Sequence, residues 1–331
     1  MKIFKKKWLF IILVLVLSIS LGGVFYYSFY YLPSLARISM DYYFNYQGVK
    51  TPMDDKLDAP NGLLEGKNTL VRDMSFTLVD TGQSDCIIVN LPNGQNMLID
   101  AGDRGYDDEV YSALVELNSL TLDYVIGTHM HMDHIGSMDE IINNRNVTVK
   151  SLFLPKDSTS TSEAPKPVMR AANSKNLTIV RGRRDTIIID IPNLKVELLG
   201  PAEDNYRETN EYSIITRIQY FEEVYIFMGD AHTSNENEIL RYYGFDYINA
   251  DVVKVGHHGS SSSSSYNFVN ATSPLYTLFP VGKDNDYGHP NSYVLDRWKE
   301  VENNTILRTD INGTITCNSR PGSGVVCGGV R

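Results

Sequence analysis

The sequence predicts an α/β (α+β) fold in the form of an αββα sandwich, two sheets packed face to face with helices on both outer surfaces. Three observations carry this. Short apolar runs with strand character recur in two blocks, one from Thr69 and one from Thr186. Each block has helical segments interspersed among consecutive strands, without the strict strand–helix alternation of a doubly wound parallel sheet. Histidines and aspartates follow the apolar runs, as they would if loops converged on one rim.

The first 32 residues stand apart from this pattern. "MKIFKKKW" carries four lysines, and no charged residue occurs from Trp8 to Leu32. About 20 apolar residues suffice for a helix to cross a bilayer. The run ends in the aromatic cluster "FYYSFYYL", of a kind that sits at the membrane–water interface, and the preceding lysines leave Met1–Lys7 in the cytoplasm and the rest outside. The expected organisation is a transmembrane anchor over 1–32, a linker or stalk over 33–68 with scattered Pro, Gly, Asn and Asp, and one folded domain over 69–331 that bears the αββα pattern. A cleaved signal peptide is the rival reading through "SISLGG", but bulky tyrosines follow and no A-x-A pattern is present. The first cysteine is Cys86, which excludes a lipoprotein anchor in this region.

From Thr69, "MSFTLVD", "DCIIVNL" and "NMLIDAG" have the spacing of a β-meander with tight turns. "DDEVYSALVELNSL" is helical, with Val110, Leu114 and Leu117 on one stripe. "LDYVIGTH" returns to strand, and "MDEIINN" starts a helix. The basic stretch "PKPVMRAANSKNLTIVRGRRD" reads as a strand-poor insertion or crossover between the blocks. In the second block "TIIIDI", "LKVELLGP", "YSIITRIQY", "EVYIFMGDA", "DVVKVGHHG" and "SPLYTLFPVG" are strands. "NENEILRYYG" and "NSYVLDRWKEV" are helices, and "TILRTDINGTITC" reads as a closing hairpin. Cys86 is expected as a buried thiol in a strand. Cys317 and Cys327 bracket the turn-rich "NSRPGSGVV", either as a hairpin-closing disulfide or as two unpaired thiols.

Composition is that of an ordinary globular protein, 42% hydrophobic and 21% charged, which excludes wholesale disorder. The net charge of −10 is acidic despite the N-terminal lysines, so a polyanionic substrate must meet metal ions or a local basic patch. "THMHMDHIG" supplies the first of these. Three of the seven histidines, His129, His131 and His134, gather there with Asp133 directly after an apolar strand. His129 and His131 alternate past Met130 and can point the same way on extended backbone. Asp133 and His134 can address a second ion from the turn that follows. Imidazole suits zinc, iron or manganese, and carboxylates shift preference toward harder ions. Asp230 follows Gly229 and is placed to bridge two cations, and His257 is the natural terminal ligand for the second.

In this order, "VDTGQSDCIIVNLPNGQNMLIDAG", "THMHMDHIG", "FMGDA", "VVKVGHHGS", "YGHP" and "RTDINGTI" resemble the metallo-β-lactamase superfamily. More narrowly they resemble the hydrolase domain of ComEC-type competence proteins, which serve DNA uptake. The resemblance covers about Leu70 to Ile315. It implies a metallo-β-lactamase-like αββα sandwich with its site on one edge of the sheets. It also implies His129 and His131 on a first metal, Asp133, His134 and His257 on a second, and Asp230 between them. The wider superfamily supplies one more first-site histidine, yet none occurs from Ile135 to Ala231; Asn210 takes its place in "RETNEYSIITRI". The first site is therefore expected to be more oxygen-rich and better suited to manganese than to tightly held zinc. His232 is a possible substitute, although Asp230 already occupies its loop. The ComEC channel itself has many membrane helices, so this chain, with one expected span, is not that channel.

Two divalent ions, manganese or zinc, would activate water and clamp a phosphodiester. Asp100 is expected to orient the ligand loop. Asp133, His258 and His289 are the candidates for proton transfer or phosphate contact, with structural roles for the two histidines equally open. "GSSSSSS" is by default a mobile loop, but Ser260, Ser261 and Ser262 near a helix start could seat an anion. Lys166, Arg170, Lys175, Arg181, Arg183 and Arg184 form either a solvated face or a track for a nucleic-acid backbone. The expected function is a membrane-anchored, outward-facing hydrolase of phosphodiesters, DNA or RNA. The alternatives are a cell-surface esterase acting on a phosphocholine ester or lactone, and a non-catalytic nucleic-acid-binding module. β-Lactamase activity is disfavoured by the missing histidine.

Overall fold

A computed structural model of the chain describes residues 69–157, 160 and 162–331. The expected anchor (1–32) and stalk (33–68) lie outside the described residues. Among those described, no helix is long and apolar enough to cross a membrane.

Turns at "TGQS" and "PNGQ" fold β1 (Met74–Leu78), β2 (Ile87–Asn90) and β3 (Asn96–Ile99) into the expected antiparallel meander. Helix α1 (Asp107–Glu116) buries Val110 and Leu114. The short β4 (Thr121–Leu122) leads into β5 (Tyr124–Ile126), which lies parallel to β3. Helices α2 (Met132–Ile135) and α3 (Met138–Asn143), then β6 (Thr148–Val149) and β7 (Ser151–Leu154), complete this region. The basic stretch forms helix α4 (Pro165–Ser174) and strand β8 (Thr178–Arg181), the latter parallel to β7. The reading of that stretch as strand-poor is corrected: "TIVR" is apolar enough for a sheet edge, and its one charge, Arg181, falls at an exposed end.

The second block contributes β9 (Thr186–Ile191), β10 (Leu194–Gly200), β11 (Ile215–Tyr220) and β12 (Glu223–Phe227), all antiparallel in succession. Helix α5 (Thr233–Tyr247), strand β13 (Val252–Lys254), helix α6 (Tyr266–Thr272), strand β14 (Tyr276–Phe279), helix α7 (Ser292–Lys299) and strand β15 (Thr305–Arg308) follow, with β12 to β15 parallel. After the short α8 (Thr309–Asn312), β16 (Ile315–Arg320) and β17 (Gly324–Gly329) return to the first sheet. The orders are β17-β16-β1-β2-β3-β5-β7-β8 and β15-β14-β13-β12-β11-β10-β9, with β4 and β6 paired separately.

"TILRTDINGTITC" is therefore not a hairpin. β15 ends one sheet and β16 pairs with β1 in the other, because α8 carries the chain across between them. The hairpin is β16–β17, where Cys317 faces Cys327 and the two are joined as a disulfide. Cys86 is a buried free thiol.

Three apolar layers account for the sandwich. Phe76, Tyr225 and Phe227 meet edge to face between the sheets, with ring centroids 5.7 and 5.2 Å from Phe76. Val110, Ile135, Met138 and Val168 pack α1 to α4 on the outside of the first sheet. Ile239, Phe268, Val294 and Trp298 pack α5 to α7 on the outside of the second. This is the αββα arrangement, and β5, β12 and β13 lead into the histidine- and aspartate-bearing loops.

Candidate metal centre

The extended backbone of β5 stops at Ile126, and α2 begins at Met132, so His129, His131, Asp133 and His134 leave one strand end together. The loop is pinned by main-chain bonds, Ala101 N to His134 O at 2.7 Å and Asp85 N to Asp133 O at 3.1 Å. Strand β12 delivers Asp230 through Gly229, whose φ of 53° favours glycine. A Cβ on Gly229 would stand 2.9 Å from the Thr128 Cβ, so the two loops can meet only here without a side chain. Strand β13 delivers His257 and His258 in the tight turn Gly256–Gly259, both with left-handed backbone (φ 47° and 52°).

Among the described residues two groups of donors converge, the smaller being Asp85, Asp100 and His134. Asp133, His134, Asp230 and His258 each place a donor atom within 4.8 Å of the others. His134 Nε2 is 3.2 Å from Asp230 Oδ1 and 3.7 Å from Asp133 Oδ2. His258 Nε2 is 3.4 Å from Asp133 Oδ2 and 3.5 Å from Asp230 Oδ1. The opposite ring nitrogens are engaged, His134 Nδ1 with Asp100 Oδ2 at 2.8 Å and His258 Nδ1 with the Pro280 carbonyl at 2.8 Å. Donation through Nδ1 fixes each ring with Nε2 toward the carboxylates, the orientation a histidine metal ligand needs. His134 Nε2, His258 Nε2 and Asp230 Oδ1 are buried without a hydrogen-bond partner. Orphaned buried polar atoms are costly, and a shared divalent cation would satisfy all three. The donor set fits a metal.

The electrostatics agree. Burial alone would push the His134 imidazole down, but the Asp230, Asp100, Asp133 and Asp85 carboxylates carry it well above its ordinary value. Burial would likewise push His258 down, but the Asp230 and Asp85 carboxylates and the contact with Asp133 carry it above its ordinary value. Burial would raise the Asp230 carboxyl, yet His134, His258 and His257 hold it well below the usual carboxylate range. Asp133 is lowered against burial by His134 and His258. The cluster demands positive charge.

The other side of Asp230 is wider. His129 Nε2 lies 3.8 Å and His257 Nε2 3.7 Å from Asp230 Oδ2, while His129 Nε2 is 3.0 Å from His131 Nδ1. Asn210, in the turn Thr209–Tyr212, places Nδ2 3.3 Å from both His257 Nε2 and His232 Nε2, and its Oδ1 is buried without a partner. The His232 and His257 rings stack at 5.4 Å. His289 stands edge-on to His257 at 5.6 Å and lies between His258 (6.4 Å) and the exposed Tyr287 (5.8 Å), nearly parallel to both. Burial pulls His257 down to about 4 and His129 well below the ordinary histidine value, so both rings are neutral nitrogen donors.

The sequence grouped His257 with Asp133 and His134, and treated His258 as a residue left over for proton transfer. The structure places His258 in that group and sets His257 beside the Asp230 oxygen that His129 also faces. Spacing cannot separate two adjacent histidines; the left-handed turn does. His289 stays on the rim, where its Nδ1 lies 3.4 Å from Gln83 Nε2. Asp100 accepts hydrogen bonds from Thr128 N (2.8 Å), Thr128 Oγ1 (2.7 Å) and the His134 ring, which ties strand β3 to the histidine loop.

The serine run is not a loose loop. Ser263 and Ser264 are buried, Ser263 Oγ donates to the Gly256 carbonyl at 2.7 Å, and the amides of Ser264 and Ser265 donate to the buried Glu236 carboxylate. The start of α6, expected to seat an external anion, is thus filled from within. Ser260, Ser261 and Ser262 remain at the outer end, with Ser262 Oγ 3.0 Å from His257 Nδ1. The basic stretch is partly neutralised, Lys166 by Glu163, Arg181 by Asp204 and Arg184 by Asp185.

Sequence reasoning missed Asp85, Lys254 and Glu236. Lys254 is fully buried in β13, where its ammonium pairs with Asp85 and donates to the Gly229 carbonyl at 2.8 Å. Asp85 in turn lies 3.4 Å from His258 Nδ1 and 3.8 Å from His134 Nδ1. The available signal was a lysine inside the apolar run "DVVKVG", since a charge at a buried position needs a partner.

Residues 79–152 match the family model of the metallo-beta-lactamase superfamily. ComE operon protein 3 of Bacillus subtilis is 30% identical over 255 residues, 72% of this chain and 32% of that protein. Competence protein ComA of Neisseria gonorrhoeae is 34% identical over 119 residues, 36% of this chain and 17% of that protein. The matched regions thus span about a third or less of these relatives. Among solved structures, CmlA, a diiron β-hydroxylase from Streptomyces venezuelae, is similar with a TM-score of 0.52 at 15% identity, over 74% of this chain and 54% of that chain. At that identity the likeness speaks for the fold alone. The sandwich, the donors gathered on its rim and the sequence matches lead to one conclusion: residues 79–152 carry the metallo-β-lactamase superfamily pattern, and the chain resembles the ComEC type of competence protein.

Proposed function

We propose that the chain is a membrane-anchored, extracytoplasmic metal-dependent hydrolase that cleaves phosphodiester bonds of DNA or RNA at a dinuclear centre. The observation that carries this reading is the division of Asp230, whose Oδ1 faces His134 and His258 while Oδ2 faces His129 and His257. A buried carboxylate with a histidine pair on each oxygen suits sharing by two cations. His129 and His131 with Asp230 would hold the first, and Asp133, His134, His258 and Asp230 the second. When bound, manganese or zinc would supply a water ionised near neutral pH and charge to balance a phosphate.

The remaining residues prepare that chemistry. Asp100 and the Pro280 carbonyl fix the two inner imidazoles, which removes reorganisation from the reaction. His289 stands half-buried at the mouth and is the residue placed to give a proton to the departing oxygen or to hold a phosphate oxygen. Ser260, Ser261 and Ser262 offer hydroxyls beside His257. Exposed Tyr287, stacked on His289, offers a face on which a base could lie. Similarity to proteins named for competence favours a nucleic acid over an envelope ester. The lysine-led apolar run Trp8–Leu32 supports anchoring with the site outside.

The test is the full-length protein in detergent, supplied with manganese or zinc and assayed on single- and double-stranded DNA, RNA, a phosphocholine ester and a lactone. Expected is nucleic-acid cleavage that chelation and Asp230→Asn both abolish. Absence of cleavage with two ions bound per chain would refute the nuclease reading, and turnover of the small esters alone would replace it.

A further inference from the structure

We infer that His257 stands in for the histidine that the first ion's site lacks, so that the adjacent pair His257–His258 is divided between the two ions. The inference rests on the dinuclear reading above and assigns a ligand that the sequence had placed on the other side. No histidine occurs from Ile135 to Ala231, and Asn210 occupies the corresponding segment. His257 fills the gap from another strand. Its Nε2 lies 3.7 Å from the same Asp230 oxygen that His129 faces at 3.8 Å. Donor atoms each bound at about 2.0–2.2 Å to one ion sit about 3–3.5 Å apart at tetrahedral angles, so these donors, less closely gathered than the inner four, would have to move inward to close this side.

The surroundings hold His257 for that purpose. Its backbone amide donates to the Gly229 carbonyl at 3.1 Å, tying it to the residue before Asp230. Its Nδ1 meets Ser262 Oγ at 3.0 Å, an outer partner that leaves Nε2 facing inward. Its side chain is 25% exposed, so it has room to move onto an ion. Asn210 Nδ2 meets that inward nitrogen at 3.3 Å, a contact an ion would replace. His232, the rival, caps α5 together with Asn235 and reaches Asn210. With His257 included, the first site offers three imidazoles and one carboxylate. That set suits zinc, in contrast to the oxygen-rich manganese site expected from the missing histidine.

The test measures metal binding without reference to turnover. Full-length wild type, His257→Ala, His258→Ala and His257→Ala/Asn210→His are titrated with zinc by calorimetry, and bound zinc is counted by elemental analysis. Expected are two ions in wild type, one in each single variant, and recovery of the second in the double variant, where residue 210 again supplies an imidazole. X-ray absorption of zinc-loaded wild type should give an average of about two and a half imidazoles per ion, against about two if His257 stays unbound. This measurement decides alone if the variants fail to fold. Two ions at wild-type affinity in His257→Ala, or an average of about two imidazoles, would overturn the inference while leaving the dinuclear reading intact. A wild type that binds fewer than two ions overturns both.

Discussion

The two sides of Asp230 are built from the same residue types and differ in what stands behind them. On the inner side, His134 and His258 are backed by Asp100, the Pro280 carbonyl, Asp85 and Lys254, and these side chains are buried. On the outer side, His257 is backed by Ser262 and Asn210, and its ring is open to solvent near His232 and His289. Buried partners fix ring orientation and raise ligand basicity, so the inner side is built to hold an ion tightly and the outer side to hold one more loosely beside the substrate. Ligand identity sets which metals can bind, and the layer behind the ligands sets how firmly.

The comparison can be broken most severely through Lys254. Burial already pushes the Asp85 carboxyl up against the pull of Lys254, so Lys254→Met leaves it buried without its ammonium partner, and unfolding by denaturant should show a loss of up to about 3–5 kcal/mol. Lys254→Met combined with Asp85→Asn should regain most of that loss. Acidification separates the two sides next. His134 and His258 lie above the ordinary histidine value, so an ion must displace protons from them. Inner-ion affinity should therefore fall as pH drops through that raised range, about tenfold per pH unit for each proton displaced. His129 lies well below the ordinary value and His257 at about 4, so outer-ion affinity should persist to lower pH in the same calorimetric titration. The metal-free protein should show the opposite sign. The stabilisation from its protonated His134 and His258 is complete below the ordinary histidine value and is lost as pH rises through their raised values.

Asp100→Asn sharpens the contrast with a smaller effect. It weakens the acceptor for His134 Nδ1, and inner-ion affinity should fall about 10–100-fold while outer-ion affinity holds. Glu236→Gln should matter least to either ion. It replaces one of the two carboxylate oxygens that accept from the Ser264 and Ser265 amides, costing about 1–3 kcal/mol and raising hydrogen exchange at the amide left unpaired.

What the sequence made legible follows from how local each signal is. The meander β1–β3 and the helix stripe of Val110 and Leu114 depend on periodicity within a few residues, and the structure shows them. The histidine loop was conspicuous because four ligand-type residues fall within six positions, and the structure brings them to one rim with Asp230. Three things were not legible. The destination of β16 depends on pairing with β1, about 240 positions earlier, which no local pattern encodes. The choice between His257 and His258 depends on two left-handed backbone residues, and neither histidine advertises that conformation. The serine run looked mobile by composition, because the carboxylate that orders it, Glu236, is supplied by α5. Non-local partners decide such cases.

Crystals of the protein loaded with zinc, with data collected across the zinc edge, would show whether two ions share Asp230. The account predicts two anomalous peaks about 3.5–4 Å apart on either side of the Asp230 carboxylate. One should be touched by Asp133, His134 and His258, the other by His129, His131 and His257. A single peak, or two peaks that leave Asp230 on one side of both, would contradict it.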